Sequence, residues 1–206
     1  MTKKETPVFS KAQFKDNNGD FLPQGFFDHK LIKFWDLDFK WMSRTKAEIS
    51  SAYKHPIPYV VLFNAMCDKV LMYERSNKGN ESRLHGKLSI GIGGHIEHDD
   101  VEKDLPISSG FCWAAERELE EEVAGVHLMS PITYRGMVNW DGDAVGQVHA
   151  GLVYVGYVKP GTENEIKPID SEIQYCQWES IAKLVFTETL IERMENWSKL
   201  ILPAFL

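Results

Sequence analysis

The chain has 206 residues, of which 43% are hydrophobic and 26% charged, and its formal net charge is -7. This composition is typical of one globular domain, or of one domain with an appendage, that buries roughly 70% of its unfolded surface. The acidic balance argues against a protein that binds nucleic-acid polymers, because such binding depends on clustered Lys and Arg. A small phosphorylated ligand stays compatible with it, since a divalent cation can supply positive charge.

The three cysteines, Cys67, Cys112 and Cys176, are widely spaced and form no CxxC pair. An odd number with this spacing favours a reducing compartment. Residues 1–11 are polar, and no apolar run approaches the roughly 18 residues that span a bilayer. The sequence therefore predicts a cytoplasmic protein without a membrane partner.

Residues 1–54 show little regular pattern but contain many aromatic side chains. Aromatic residues at this density are unusual in a free tail. We expect this N-terminal extension to pack on the main body or on a partner chain, so that a homodimer is one expected assembly. A short helix is predicted over residues 46–53, and the predicted main domain covers residues 55–206.

Two strand-like runs, residues 59–64 and 69–75, are separated by a short turn, a pattern typical of a β-hairpin. The strongest helical pattern covers residues 110–123, and an amphipathic helix is predicted over residues 187–201. Further strands are predicted at four places: residues 87–92, 132–138, 149–158 and 173–178. Strands that surround a central helix and lead to a terminal helix predict an α/β (α+β) fold with a mixed sheet covered on both faces.

Three glutamates have helical spacing in the predicted central helix. Glu118, Glu121 and Glu122 stand at i, i+3 and i+4, so their carboxylates share one helix face. Converging carboxylates repel one another unless a cation neutralises them, and oxygen ligands at this density suit Mg²⁺ or Mn²⁺. A glutamate run is more often a solvated helix face, so the context decides between the two interpretations. Arg117 lies one turn before Glu121 and is placed to brace it.

A glycine pair, Gly93 and Gly94, precedes this helix at the end of a predicted strand, where a backbone without side chains can approach a ligand. With this loop and the helix together, the chain resembles the Nudix hydrolases. The signature of that family runs from a glycine through a glutamate to Arg-Glu-apolar-x-Glu-Glu-x-Gly-apolar. Gly94 matches the opening glycine, and residues 117–122 match the helical part without a gap. The resemblance covers residues 55–206 and implies the Nudix α/β/α sandwich with its mixed sheet between helices.

The chain departs from the signature in the loop and at the end of the helix. Residues 95–116 separate Gly94 from Arg117 and number 22, where the signature has 13, so the loop carries an insertion of nine. The signature's earlier glutamate consequently has no counterpart in register. Four acidic residues are candidates to replace it: Glu97, Asp99, Asp100 and Glu102. Ala124 stands where the signature has its closing glycine.

The resemblance implies a pyrophosphohydrolase and gives roles to individual residues. The implied metal ligands are Glu118, Glu121, Glu122 and the carbonyl of Gly94, with Mg²⁺ as the cofactor and Mn²⁺ as the alternative ion. Arg117 would orient a glutamate. The proton of the attacking water would go to Glu121 or to a later carboxylate, Glu165 or its neighbour Glu163. The implied contacts to the phosphorylated substrate are Gly93, His95 and Glu97.

The implied substrate is a nucleoside diphosphate derivative or a related small phosphorylated metabolite. Residues 86–96, joined to the long loop, also resemble a little-characterised Nudix group described only as predicted phosphoesterases. Two alternatives keep the fold: a ligand-binding regulator without hydrolysis, against which the intact glutamate set argues, and a prenyl diphosphate isomerase, for which no cysteine is convincingly placed. A zinc site at His95 and His98 is a further hypothesis, which the lack of a nearby cysteine weakens.

Overall fold

The computed structural model of the chain describes residues 4–16, 18–21, 23–78, 82–102 and 104–206. The first three residues of the predicted N-terminal extension lie outside these ranges. The strands are β1 (Glu5–Ser10), β2 (Gly25–Asp28), β3 (Phe39–Ser43), β4 (Tyr53–Phe63), β5 (Lys69–Arg75), β6 (Leu88–Ser89), β7 (Gly91–Ile92), β8 (Val123–Ala124), β9 (Thr133–Asn139), β10 (His149–Tyr157), β11 (Lys167–Pro168) and β12 (Ile173–Ser180). The α-helices are α1 (Arg44–Ala47), α2 (Ile107–Glu122), α3 (Ile181–Phe186), α4 (Glu188–Arg193) and α5 (Asn196–Ile201). Within the described ranges, no helix is both long and apolar enough to cross a membrane.

Most of the strands form one mixed sheet, in which β12, β5, β4, β10, β9 and β2 lie side by side in that order. β4 and β10 at its centre are parallel, whereas the other neighbours in this series are antiparallel. β1 pairs with β3 and β4, β6 pairs with β5, and β7 pairs with β4. β8 and β11 form a separate two-stranded sheet. The mixed sheet expected from the sequence is therefore confirmed.

Both faces of this sheet are buried, as alternate residues of β4 illustrate. Val60 and Leu62 belong to a core cluster with helix α2, whereas Val61 and Phe63 belong to a second cluster with the C-terminal helices. Successive side chains of a strand point to opposite faces. The uninterrupted apolar run of β4 is therefore what a strand covered on both sides requires, and the predicted α/β/α layering is confirmed.

The N-terminal aromatic side chains lie inside the cluster that contains α2. Phe9, Phe14 and Phe34 are at most 1% exposed, and the ring centroid of Phe39 lies 5.3 Å from that of Phe111 in α2. β1 and β2 join the edges of central strands, β1 at β4 and β2 at β9. Helix α1 packs against β1, β3 and β4, so the residues around it lie close to the centre of the sheet.

The helix predicted over residues 46–53 is wrong in its bounds, because α1 ends at Ala47 and β4 already begins at Tyr53. The hydroxyl of Ser50 accepts hydrogen bonds from the backbone N–H of Ala52 at 3.3 Å and of Tyr53 at 3.1 Å. Such a local side-chain bond offers the backbone an alternative to the helix. The chain therefore turns at Ser50 and enters the sheet.

The helix predicted over residues 187–201 is also wrong in its bounds, since it consists of two helices, α4 and α5. The break lies at Met194 and Glu195, where the N–H of Glu195 donates to the carbonyl of Leu88 at 2.9 Å. A backbone N–H that bonds to another strand leaves the helical ladder. By contrast, the helix predicted over residues 110–123 is confirmed as α2, which begins three residues earlier, at Ile107.

Candidate active site

Helix α2 presents three glutamates to a cavity of about 560 Å³. Ala115 and Leu119 are buried in the core, and Glu118, Glu121 and Glu122 line the cavity. The side chain of Glu118 is 12% exposed and that of Glu121 is 59% exposed, so the glutamates extend from the interior to the solvent. The structure brings further residues of the sequence-based assignment to the same cavity: Gly93, Gly94, His95, Glu97 and Arg117.

The guanidinium group of Arg117 links this helix to the preceding loop. Its Nε and Nη2 donate to the two carboxylate oxygens of Asp100 at 2.8 and 2.9 Å. Its Nη1 donates to Glu118 at 2.9 Å and to Glu121 at 3.1 Å, and Nη2 also donates to the main-chain oxygen of His95 at 2.9 Å. Because a two-pronged arginine–carboxylate pair fixes orientation as well as distance, Arg117 holds two of the three glutamates in place.

Asp100 is the member of the acidic loop that pairs with Arg117. Its side chain is 7% exposed, and its Oδ2 also accepts the backbone N–H of Glu97 at 2.8 Å. The carboxylate of Glu97 pairs instead with Lys4 at 3.0 Å, while Asp99 is exposed. The inserted loop therefore closes onto α2 through Asp100, which the sequence alone did not distinguish from its acidic neighbours.

The glycine loop lies directly against Glu118. A Cβ atom on Gly94 would stand 2.5 Å from Oε2 of Glu118, and one on Gly93 would stand 1.8 Å from the carbonyl oxygen of Pro58. Both distances are shorter than a Cβ contact allows, so glycine at position 93 lets the loop lie against β4, and glycine at position 94 lets it lie against the carboxylate of Glu118. The resulting cradle of loop backbone and carboxylate oxygens fits a hard divalent cation such as Mg²⁺.

Burial changes the proton affinity of the glutamates. It raises the pKa of Glu122 to about 8, although Arg75 acts in the opposite direction. Burial also raises the pKa of Glu118, and Arg117 opposes that shift. Carboxyl groups that are unfavourable as bare anions are stabilised when a cation binds and displaces their protons. The charge balance of the cavity therefore also fits a divalent ion.

A second group of titratable side chains adjoins the same cavity; we call Glu48, His55, His95 and His149 the histidine cluster. One ligand atom from each lies within 4.8 Å of all the others. His55 and His149 stand opposite each other in the register of β4 and β10, and their rings stack at 3.9 Å. Oε1 of Glu48 is 3.2 Å from Nε2 of His95 and 3.7 Å from Nε2 of His149. Burial lowers the pKa of His55 to about 2.

Two of the sequence-based candidates lie elsewhere. The side chain of Glu165 is 56% exposed, pairs with His127 at 3.2 Å, and does not line the cavity. His98 stacks on Trp41 with 3.6 Å between the ring centroids and contacts Glu5 at 2.9 Å. The hypothesis of a zinc site shared by His95 and His98 is therefore wrong, because their side chains turn to different neighbours.

The cavity also contains residues that no sequence motif marks. Trp197 in α5 lines it and packs edge-on against Tyr59, with 5.7 Å between the ring centroids. Asp170 and Glu172, just before β12, line the cavity as well. No local pattern identifies these residues, because they reach the cavity only through the pairing of distant strands and helices.

Known proteins resemble the chain in both sequence and fold. No protein-family model matches it. Protein YmaB from Bacillus subtilis (strain 168) is 35% identical over 164 residues, which are 79% of this chain and 76% of that protein. Among solved structures, Tm1382, which is described as a candidate Nudix hydrolase, is 26% identical with a TM-score of 0.69, and the match covers 98% of each chain. DR0079 from Deinococcus radiodurans shares the fold, with a TM-score of 0.50 and 12% identity over 96% of this chain and 98% of that one.

The two structural likenesses extend over almost the whole chain, and the cavity assembles the signature residues on which the sequence resemblance depends. The glycine loop, Arg117 and the glutamates of α2 occupy one site, as they must if the signature is a functional unit rather than a chance run of acidic residues. Fold and site agree, and the chain belongs to the Nudix hydrolase family.

Proposed function

We propose that this Nudix hydrolase cleaves a pyrophosphate linkage in a nucleoside diphosphate derivative or a related small phosphorylated metabolite, with Mg²⁺, or Mn²⁺ in its place, as the cofactor. The observation that carries the proposal is the group of three α2 glutamates that share one cavity with Gly94 and Arg117. The substrate is a small molecule rather than a nucleic-acid polymer, in keeping with the net charge of -7.

Glu118, Glu121, Glu122 and the carbonyl of Gly94 would hold the divalent ion. When bound, the ion neutralises phosphate oxygens and makes the phosphorus more open to attack by water. Glu121 is the most solvent-exposed of the α2 glutamates in the cavity, and its carboxylate is our candidate to accept the proton of the attacking water. Glu165, the other carboxylate considered for this role, pairs with His127 outside the cavity.

Arg117 serves as a positioning residue in this proposal. A guanidinium has five N–H donors, and the contacts of Arg117 to Asp100, Glu118, Glu121 and the His95 carbonyl number five. No donor is left for a substrate phosphate. Arg117 therefore acts on the reaction through the glutamates that it orients.

The remainder of the substrate would contact the less polar residues of the cavity. Ile57, Val145 and Trp197 are among the lining residues, and an indole ring offers a flat apolar surface with one N–H donor. Phosphate groups would lie near the glutamates and an uncharged group near Trp197. Gly93, His95 and Glu97 would contact the phosphorylated end.

The proposal is tested by incubating the purified protein with Mg²⁺ and a panel of nucleotide sugars, dinucleotides, nucleoside triphosphates and prenyl diphosphates in ¹⁸O-labelled water. We expect release of a phosphate or monophosphate product that carries one ¹⁸O atom, which mass spectrometry detects. Isomerisation of a prenyl diphosphate without phosphate release would instead favour the isomerase alternative. No turnover of any compound, together with no change in thermal stability on adding Mg²⁺, would refute the proposal.

Variants of α2 distinguish glutamates that bind a metal ion from glutamates that only form an acidic surface. Glu121→Gln and Glu122→Gln should each lower turnover by about 10²-fold or more while the fold stays stable, because glutamine keeps the shape and loses the charge. Glu120→Gln is the matched control, since Glu120 is exposed on the same helix and does not line the cavity. Equal activity in all three variants would show that the glutamates do not take part in the reaction.

A further inference from the structure

The structure contains a second group of side chains that can bind a metal ion, and the reaction proposed above uses only one of them, His95, as a substrate contact. We infer that the histidine cluster, Glu48, His55, His95 and His149, binds a divalent transition metal ion of the zinc type, at a site separate from the α2 glutamates. The ligand atoms differ in kind between the two sites: oxygen at the glutamates, mostly imidazole nitrogen in the cluster. Imidazole favours zinc and its transition-metal neighbours over Mg²⁺.

The spacing of the ligand atoms suits tetrahedral coordination. Zinc binds nitrogen and oxygen at about 2.0–2.1 Å, which places the four ligand atoms of a tetrahedral site roughly 3.3 Å apart. Oε1 of Glu48 is already 3.2 Å from Nε2 of His95 and 3.7 Å from Nε2 of His149. The widest pair in the cluster is within 4.8 Å. Small side-chain rotations therefore suffice to close the site around an ion.

The ring of His149 is held in the orientation that a metal ligand needs. Its Nδ1 lies 2.7 Å from the main-chain oxygen of Val145, and only an N–H at Nδ1 can donate to that carbonyl. The neutral ring then carries its lone pair on Nε2, which points to Glu48 and the cluster. A hydrogen bond from the second ring nitrogen to a carbonyl is the usual support of metal-binding histidines.

His55 supplies the independent observation that points to a ligand. Its side chain is fully buried, and neither of its ring nitrogens has a hydrogen-bond partner among the described residues. Buried polar groups are nearly always paired in native proteins, and a bound ion is one of the recognised explanations when no protein partner is present. An ion bound by one nitrogen of His55 would remove one of these two unsatisfied groups.

Four protein ligands fill a tetrahedral site, so the cluster is a closed site of the structural kind rather than one that activates water. Its ligands come from four parts of the chain: the residue after α1, β4, the loop after β7, and β10. His95 is common to both sites, because its side chain belongs to the cluster while its carbonyl accepts the Nη2 hydrogen of Arg117. By binding the side chain of His95, the ion would thus help to hold the glycine loop in position. Through the His95 carbonyl it would also help to hold Arg117.

The test measures metal content and coordination of the full-length protein, with no need for activity. The purified protein is stripped with a chelator and titrated with Zn²⁺ in excess Mg²⁺, which keeps the glutamate site occupied. We expect about one Zn²⁺ per chain by mass spectrometry and a rise in the melting temperature of several degrees. Co²⁺ in place of Zn²⁺ should give the intense visible absorption of a tetrahedral ion with nitrogen ligands. No bound Zn²⁺ and no change in melting temperature would overturn the inference.

Matched variants locate the ion. His149→Gln and Glu48→Gln should reduce Zn²⁺ binding at least tenfold, whereas His98→Gln, at an exposed histidine outside the cluster, should bind like the wild type. Glu48 is 30% exposed, so its variant should fold even if changes to buried histidines do not. Glu121→Gln should keep the Zn²⁺ while losing turnover, which separates this inference from the proposed hydrolysis. Unchanged Zn²⁺ binding in both cluster variants would also overturn the inference.

Discussion

A substitution at Asp100 tests directly how the site is built, because Asp100 is the acidic residue that joins the inserted loop to helix α2 by its ion pair with Arg117. The substitution Asp100→Asn keeps the size of the side chain and removes its charge. The carboxylate accepts N–H groups from Arg117 twice and from the Glu97 backbone once. An amide has one acceptor oxygen, and its NH₂ group would face a donor.

The loss can be estimated from these contacts. Hydrogen bonds to a charged group contribute about 1.5–3 kcal/mol each, and breaking a fully buried ion pair costs about 3–5 kcal/mol. The side chain of Arg117 is 29% exposed, so water replaces part of what the variant loses. We expect a decrease of about 2–3 kcal/mol in the free energy of unfolding, which for a chain of this length lowers the melting temperature by about 4–12 °C. Because Arg117 then no longer fixes Glu118 and Glu121, Mg²⁺ affinity should fall about 10- to 100-fold.

Urea unfolding and the Mg²⁺ dependence of turnover measure the two effects in parallel. Asp99→Asn is the matched control, since Asp99 is the exposed neighbour of Asp100 in the same short 3-10 helix. The control should behave like the wild type. If the two variants had the same stability and the same Mg²⁺ dependence, the role assigned to Asp100 would be refuted.

Three other substitutions probe the cavity. Gly94→Ala should fold, because its Cβ would meet only the movable end of the Glu118 side chain, at 2.5 Å. Turnover and Mg²⁺-induced stabilisation should nevertheless fall about tenfold or more, and a fully active variant would show that Gly94 and the Glu118 carboxylate need not lie this close. In EDTA, the stability contributed by protonated Glu122 should be lost as the pH rises from 4.5 to about 8, because Glu122 releases its proton more readily in the unfolded chain. Buried His55, with its pKa lowered to about 2, acts in the opposite direction over part of this range. Urea titrations should therefore show the loss as a fall in the free energy of unfolding of Glu120→Gln relative to that of Glu122→Gln, and equal pH dependence in the two variants would contradict it. Glu165→Gln should keep turnover within about twofold, because its exposed ion pair lies outside the cavity and contributes little. A large loss of turnover in a kinetic assay would instead indicate that Glu165 accepts the proton of the attacking water.

The glutamate helix could be predicted from sequence because its information is local. Glu118, Glu121 and Glu122 need only the regular geometry of a helix to share a face, and buried Leu119 fixes which face that is. The same holds for the two-sided burial of β4, whose uninterrupted apolar run is visible without knowing its neighbours. Such features can be predicted because they depend on the geometry of a single helix or strand and not on the rest of the fold.

The histidine cluster could not be predicted, because its members meet only through strand pairing. His55 and His149 are neighbours in the register of β4 and β10, and nothing in either segment specifies that register. The acidic loop posed a different problem: its carboxylates are chemically alike, and only the path of the loop brings Asp100 to Arg117. Features that depend on long-range strand pairing or on the path of an irregular loop therefore could not be predicted from this sequence alone.

The C-terminal helix shows how a buried polar group overrides a local pattern. The spacing of apolar residues favours one continuous helix, but the carboxylate of Glu195 is 5% exposed and accepts the hydroxyl of Tyr59 at 2.6 Å. The same carboxylate pairs with Arg75 at 3.2 Å. Burying this charge requires these partners, so the chain breaks the helix where Glu195 must reach them.

The parallel pair at the centre of the sheet also sets an order of events during synthesis. β4 ends at Phe63, but β10, its parallel neighbour, ends at Tyr157, and ribosomes add the intervening residues in roughly 5 to 20 s. Throughout that interval one edge of an apolar strand has no partner, and open edges of this kind invite pairing with other chains. Soluble yield in a cell should therefore depend on the chaperones that meet the growing chain as well as on the stability of the finished protein.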